Sequence, residues 1–385
     1  MESSSLLMNT DFKQISYTLE PYTIFLPNFV DDLARDWFLN STYYRMHSSL
    51  CPKNDCQSYG FLFNDLNEHL SVHIDLVKNG LYNNYDCGFR YGDIASRNTF
   101  NTTDDLSAVY DEAIVYTVPD GWSFQHFLDG IGPKLSHSYN YLYKYPNAKV
   151  LLQKGIRFDQ SVREIWEILG VKESHRLIHY IPGRKVGARL LINPCRTPAT
   201  HPRLWQDARR MYWSLVNLTD LEVNLAKNSL IYLRRTASNA KNNGRLILNE
   251  QSLIDSLVAY ASNHSLNYVQ YDHSKDHLHV RQQIKLFSHA KIIIGVHGGA
   301  QSNINFASSG TTIIELMPYQ LNATVVPVVC QMPKSNELKP CVGYIYYTQS
   351  QLLNQSYWIL PTAVNNEGNL NVNLTRVQCL LNSLV

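Results

Sequence analysis

Residues Lys291–Pro318 read KIIIGVHGGAQSNINFASSGTTIIELMP: a strand, a polar turn, a short helix and a second strand closed by proline. Lys291 to Val296 is a short β-branched run, apolar on both faces, as expected of a strand buried in a parallel sheet. His297-Gly298-Gly299 ends it. Two glycines are expected to allow positive φ and close approach of backbone to a ligand. The helix that follows would direct its free N–H groups, from Gly299 and Ala300 onward, at an anion. Gln301, Ser302 and Asn303 add side-chain donors in its first turn. The next strand, Thr311 to Leu316, carries Glu315 in an apolar stretch, which costs free energy unless the carboxylate finds a partner or a sheet edge. A ribose diol is one such partner. Taken in isolation, His-Gly-Gly also reads as a plain strand-to-helix turn.

The surroundings give the turn its context. Upstream, Ser229 to Leu233 reads as a strand ending in Arg234-Arg235, and Asn249 to Ser262 as a helix with Leu253, Leu257, Val258 and Ala261 on one stripe. Tyr268 to Tyr271 is a short strand. A helix over 276–290, with Val280, Ile284 and Phe287 at i, i+4 and i+7, leads directly into Lys291. The order β-α-β-α-β-α-β predicts a parallel, doubly wound sheet. Ligands of such sheets bind beyond the carboxyl ends of the strands, where Arg234, His297 and Glu315 fall.

These motifs resemble glycosyltransferase family 61. The resemblance rests on Arg235 with Arg245-Leu246-Ile247-Leu248-Asn249-Glu250, on His297-Gly298-Gly299-Ala300-Gln301, and on the strand Gly310 to Pro318 with its Glu315. The chain departs from the family pattern by a second glycine and by an insertion, Thr236 to Gly244, so Arg234 and Arg235 both stand as the family arginine. The resemblance implies a GT-B-like α/β fold of two facing Rossmann-like domains with parallel sheets. It also implies sugar transfer from a nucleotide diphosphate with inversion, and a secretory-pathway lumen as the place of action.

At 385 residues the chain suits two cores. Strands are expected at 113–118, 149–152, 176–181 and 188–192. Helices fall at 123–143 and at 161–169, the latter opened by a capping box of Ser161 and Glu164. The first domain is therefore placed at 1–216 and the nucleotide-sugar domain at 217–350. Leu352, Leu353, Val377, Leu380 and Leu381 suggest closing helices over 351–385 that pack back on the first domain, as in other GT-B proteins.

Within the first domain, His126 and Asp129 lie three apart on one helix edge, away from the apolar stripe Phe124, Phe127, Leu128, Ile131 and Leu135. A base must take the acceptor's proton during inverting transfer, and histidine titrates near neutral pH. Asp129 would orient the ring. A histidine that merely packs at a helix start is the plainer reading. On the donor side, Arg234, Arg235, Arg245 and His297 would neutralise the leaving diphosphate. The chain contains no Asp-x-Asp pair to hold a bridging metal ion. No metal is therefore expected; the resemblance implies a UDP-sugar as the only co-substrate, with N-acetylglucosamine or xylose as the sugar and a glycan or glycoprotein hydroxyl as acceptor. The alternative from another class is a non-catalytic glycan- or nucleotide-binding protein on the same fold.

A competing pattern is Cys51, Cys56, His69 and His73, which have the spacing of a zinc finger. The stretch 64–73, the reading helix of such a finger, is acidic, and a net charge of +2 gives little attraction to phosphate, so no nucleic-acid partner is expected. Seven cysteines are too few for a disulfide scaffold, though Cys330 and Cys341 flank a loop. Seven N-x-S/T sequons permit secretory passage. No run approaches the ~18 apolar residues of a membrane span. With 44% hydrophobic and 17% charged residues, the composition is that of an ordinary globular protein.

Overall fold

The computed structural model describes residues 6–9, 12–20, 22, 25–39, 71–83, 99–101, 104–194, 201–236, 245–272, 276, 278–319, 329–331, 338–340 and 345–384. In chain order the strands are β1 (Leu6–Asn9), β2 (Phe12–Thr18), β3 (Asn28–Phe29), β4 (Ser71–Tyr82), β5 (Ala108–Val115), β6 (Lys149–Gln153), β7 (Leu177–Tyr180) and β8 (Val186–Pro194). There follow β9 (Ser229–Leu233), β10 (Asn267–Tyr271), β11 (Ala290–Val296), β12 (Thr312–Tyr319), β13 (Val329–Gln331), β14 (Leu338–Pro340) and β15 (Ser356–Ala363). The fold is α/β and GT-B-like, and it divides into two compact units, residues 1–22 with 64–217 and residues 23–63 with 218–385.

The second unit is built on the sheet β10-β9-β11-β12-β15-β3, in which every neighbouring pair is parallel. Apart from the two-residue β3, the order is that of a doubly wound sheet whose direction of winding reverses between β9 and β11. Alternate residues Leu230, Tyr232, Ile292, Ile294, Ile314 and Leu316 pack with Leu253, Leu257, Val377 and Leu380 of the helices Glu250–Asn263 and Leu374–Asn382. The residues between them, Ile231, Leu233, Ile293 and Ile313, are buried as well. Both faces are thus covered, which is why these strands lack polar alternation. Each large apolar side chain so buried contributes about 1.5–3 kcal/mol. The helix Val280–Ser288 buries Val280, Ile284 and Phe287, the spacing read from the sequence.

Residues 351–385 differ from the expected run of helices. They first form β15, which pairs with β12 from Thr312↔Ser356 to Tyr319↔Ala363, and only then the helix Leu374–Asn382; all of them belong to the second unit. The reason lies in SYWILPTA, whose aromatic and branched residues suit a strand and whose Pro361 removes an N–H that a helix interior would need.

The first unit's sheet runs β1-β2-β4-β8-β5-β6-β7. Its half from β8 to β7 is parallel, as expected, whereas β1, β2, β4 and β8 are joined antiparallel. His73 lies in β4, not in a helix, with Nε2 3.9 Å from the buried Asp75 carboxylate. The remaining members of the zinc-like pattern, Cys51, Cys56 and His69, lie outside the described residues, as do Cys341 and the side chain of Cys330. The helix at Gln160–Ile168 is not opened by Ser161, which lies inside it and is buried. Asp159 holds the cap position, and its carboxylate instead accepts from the Phe124 N–H at 3.0 Å. The capping box forms at Thr219 and Glu222, before the helix Asp220–Leu225. Among the described residues no helix is long and apolar enough to cross a membrane.

Candidate active site

The winding reversal puts the carboxyl ends of β9 and β11 side by side, with Gly295 opposite Leu233. Arg234 and Arg235 therefore leave β9 next to the turn His297-Gly298 that leaves β11. The two arginines have different fates. Arg234 donates from Nε and Nη2 to the Glu250 carboxylate at 2.9–3.2 Å, and Glu250 also accepts from the Tyr232 hydroxyl at 2.9 Å. This forked ion pair fastens the strand end to the first turn of the helix Glu250–Asn263 and neutralises Arg234.

Arg235 is partly buried, and its guanidinium pKa is pushed down to about 10, first by desolvation and then by the charge of Arg245. Arg245 is 9% exposed, and burial lowers its pKa too. Its Nη1 donates to the His297 carbonyl at 3.0 Å. Arg245 has a positive φ of 65°, a conformation that costs of order 1–3 kcal/mol in a non-glycine residue. The structure around it holds it there. Arg245 N–H donates to the Gly368 carbonyl at 2.7 Å, Leu246 N–H to Asn369 Oδ1 at 3.1 Å and Leu248 N–H to the Leu370 carbonyl at 2.8 Å. Two like charges are thus held close to the same turn.

The first glycine of that turn serves a different purpose from the one expected. Gly298 is in extended backbone, φ 168°, which any residue adopts. A Cβ there, however, would lie 2.9 Å from Arg235 Nη1, so the missing side chain makes room for the cation. The helical turn Gly299–Phe306 that follows is of the tighter 3₁₀ kind. Gln301, Ser302 and Asn303, expected to present donors outward, are all buried, and among the described residues both Gln301 amide atoms and the Ser302 hydroxyl lack a hydrogen-bond partner. Each such group costs of order 1–3 kcal/mol unless water or a ligand meets it.

Glu315 is fully buried and its carboxylate has two internal partners, His297 Nδ1 and the Tyr357 hydroxyl. The partner its burial demands is thus found inside the unit, where a ribose diol was expected. Tyr346 completes the turn: its hydroxyl donates to the Gly298 carbonyl at 2.7 Å, and its ring centroid lies 5.3 Å from that of His297. Tyr346 and Tyr357 were not identified as site residues by the sequence reading. The tyrosine cluster at 344–347 was the available signal for the first, and nothing local signalled the second.

In the first unit, His126 ends the short helix Phe124–His126, and Asp129 lies in the wide π-turn Phe127–Ile131. Pro133, which has no N–H, follows at the start of the helix Gly132–Ser138, so the wider turn forfeits one bond fewer there. Gly132 is needed because a Cβ would come within 2.6 Å of the Tyr212 hydroxyl. Burial and the nearby Asp129 charge both raise the Tyr212 pKa far above its usual value, so this phenol stays neutral beside the acid. His126 Nδ1 is 3.7 Å from Asp129 Oδ1, beyond hydrogen-bond length but within reach as an ion pair, and the imidazole is 43% exposed. Spacing of three on the helix does bring the pair together, as expected.

The family model Glycosyltransferase 61 matches residues 124–314, a span that runs from the first-unit helix carrying His126 to Ile314 of β12, one residue short of Glu315. No curated protein matches the chain.

Proposed function

Because the chain belongs to glycosyltransferase family 61, we propose that it moves a sugar from a UDP-sugar to a hydroxyl of a glycan or glycoprotein, with inversion and without a metal ion. The observation that carries this reading is the pair Arg235 and Arg245. Both guanidinium groups are desolvated, the charge of Arg245 lowers the Arg235 pKa further, and Glu250 already serves Arg234. A diphosphate at the ends of β9 and β11 relieves that repulsion, and it brings the negative charge that a bridging metal would otherwise be recruited to balance. The unpartnered Gln301 and Ser302 groups, next along the turn, suit a ligand rich in hydroxyls.

His126 is assigned as the base for the acceptor hydroxyl, with Asp129 stabilising the imidazolium that forms. N-acetylglucosamine and xylose are the sugars assigned first, and the ER or Golgi lumen is the assigned location. Calorimetric titration with UDP, GDP, CMP and ADP, before and after EDTA, tests the reading. Selective UDP binding that survives EDTA is expected. Binding that vanishes with EDTA, or no nucleotide binding at all, removes it.

A further inference from the structure

We propose that His297 is the hydrogen-bond donor to the departing diphosphate and that Glu315 and Tyr357 position it for that role. The inference rests on the donor assignment made above. It starts from strand parity. Gly295 pairs with Glu315 across β11 and β12, and Ile313 pairs with Tyr357 across β12 and β15. Alternation therefore puts Glu315, Tyr357 and the position two beyond Gly295, which is His297, on one face of the sheet. Gly295 itself must be small, since a Cβ there would lie 2.7 Å from that of Leu233.

On that face the Glu315 carboxylate is sealed from solvent and serves two donors, Oε1 facing His297 Nδ1 and Oε2 accepting from the Tyr357 hydroxyl. Tyr357 is the donor in its bond because burial, reinforced by the Glu315 charge, holds its pKa well above the usual phenol range. A carboxylate only accepts, so Nδ1 carries a proton and Nε2 is left as the ring atom that addresses a ligand. Nε2 makes no hydrogen bond among the described residues and is not among the atoms buried without a partner; the side chain is 17% exposed. The ring is also fixed from the other side by Tyr346. The charged and titratable groups bearing on this turn are Glu315, Tyr357 and Tyr346 with Arg235 and Arg245.

The chemistry balances without a further reactant. The acceptor oxygen bonds to the anomeric carbon, the bond from that carbon to the phosphate oxygen breaks, and its electron pair leaves on the diphosphate. Nε2–H donates to that oxygen as charge develops, and the acceptor's proton goes to the base. With Nδ1–H turned to the carboxylate, the ring donates from Nε2 when that nitrogen also carries a proton. Glu315 is thus a positioning residue and His297 the group that touches the substrate.

The test is turnover, UDP affinity and melting temperature for the wild type, Glu315→Gln, Tyr357→Phe and His297→Asn. Glu315→Gln is expected to lower kcat roughly 10–100-fold with the KM for acceptor unchanged. Tyr357→Phe lowers kcat less, because the carboxylate still holds the imidazole at Nδ1. His297→Asn lowers kcat at least as far as Glu315→Gln and weakens UDP. A folded Glu315→Gln protein with wild-type kcat overturns the proposal. Should that variant not fold, unchanged turnover and UDP affinity in His297→Asn overturn it instead. No UDP binding by the wild type overturns the donor reading and this inference together, whereas wild-type binding with no response to any of the three substitutions overturns this inference alone.

Discussion

His297 and His126 are held in opposite ways. His297 is clamped by a buried carboxylate, a phenol behind it and an aromatic ring beside it, contributed by β12, β15 and the helix Ile345–Leu352. His126 is nearly half exposed, and its acidic neighbour comes from the same helical stretch at ion-pair distance. The difference teaches that the second unit fixes its histidine through long-range contacts, whereas the first presents its histidine on a local turn. A residue that must be placed to within a fraction of an ångström needs support from several elements.

Four substitutions break or sharpen that contrast. His126→Ala should lower turnover about 10²–10⁴-fold, the usual worth of a positioned base, while leaving UDP affinity unchanged. A large loss of UDP affinity in steady-state and calorimetric measurements would remove His126 as the base. Arg245→Ala should weaken UDP about 10–100-fold, since hydrogen bonds to charged groups contribute roughly 1.5–3 kcal/mol. Normal calorimetric binding by this variant would mean that the diphosphate lies elsewhere.

Arg234→Ala should act on stability instead. It strips a partly buried Glu250 of its cationic partner and leaves it only the Tyr232 hydroxyl among the described residues, at a cost of about 1–3 kcal/mol in denaturant unfolding, with a smaller effect on UDP than Arg245→Ala. If the two variants lose UDP equally, the distinction drawn between the neighbouring arginines fails.

Arg235→Gln should raise the stability of the ligand-free protein by ~1 kcal/mol near pH 7, an amount reduced for the guanidinium's partial exposure to solvent. The sign follows from linkage. The folded pKa of about 10 lies below the ordinary arginine value, so the charged form is disfavoured in the folded state. That cost is fully present below pH 10 and fades as pH rises through 10 toward the ordinary arginine range. Unfolding free energies of both proteins at pH 7 and above pH 10 check it. A less stable Arg235→Gln at pH 7 contradicts a standing repulsion between the two arginines.

Much of the fold was legible locally. Ser229–Leu233 is a strand within its expected bounds, and Val280, Ile284 and Phe287 form the expected buried stripe. Capping was less legible. Ser161 and Glu164 have the right spacing, yet the helix begins a residue earlier because Asp159 is anchored to Phe124. The site was legible as residue types and not as partners. Glu315 announced itself as a charge in an apolar strand, but its donors come from positions 18 residues before and 42 residues after it.

Sequence by itself determined the α/β alternation, the doubly wound second unit, the clustering of arginines and a histidine at the strand ends, and the pairing of His126 with Asp129. All of these follow from periodicity, β-branching and helical spacing, which act over a few residues. Tertiary structure decided which arginine pairs with Glu250, what packs against Gly298, and where residues 356–363 go. It also decided that Glu315 faces inward to His297 and Tyr357. Those outcomes depend on sheet register and on contacts between distant segments, where a hydrogen bond or a clash at 2.9 Å selects among partners that local pattern leaves equivalent.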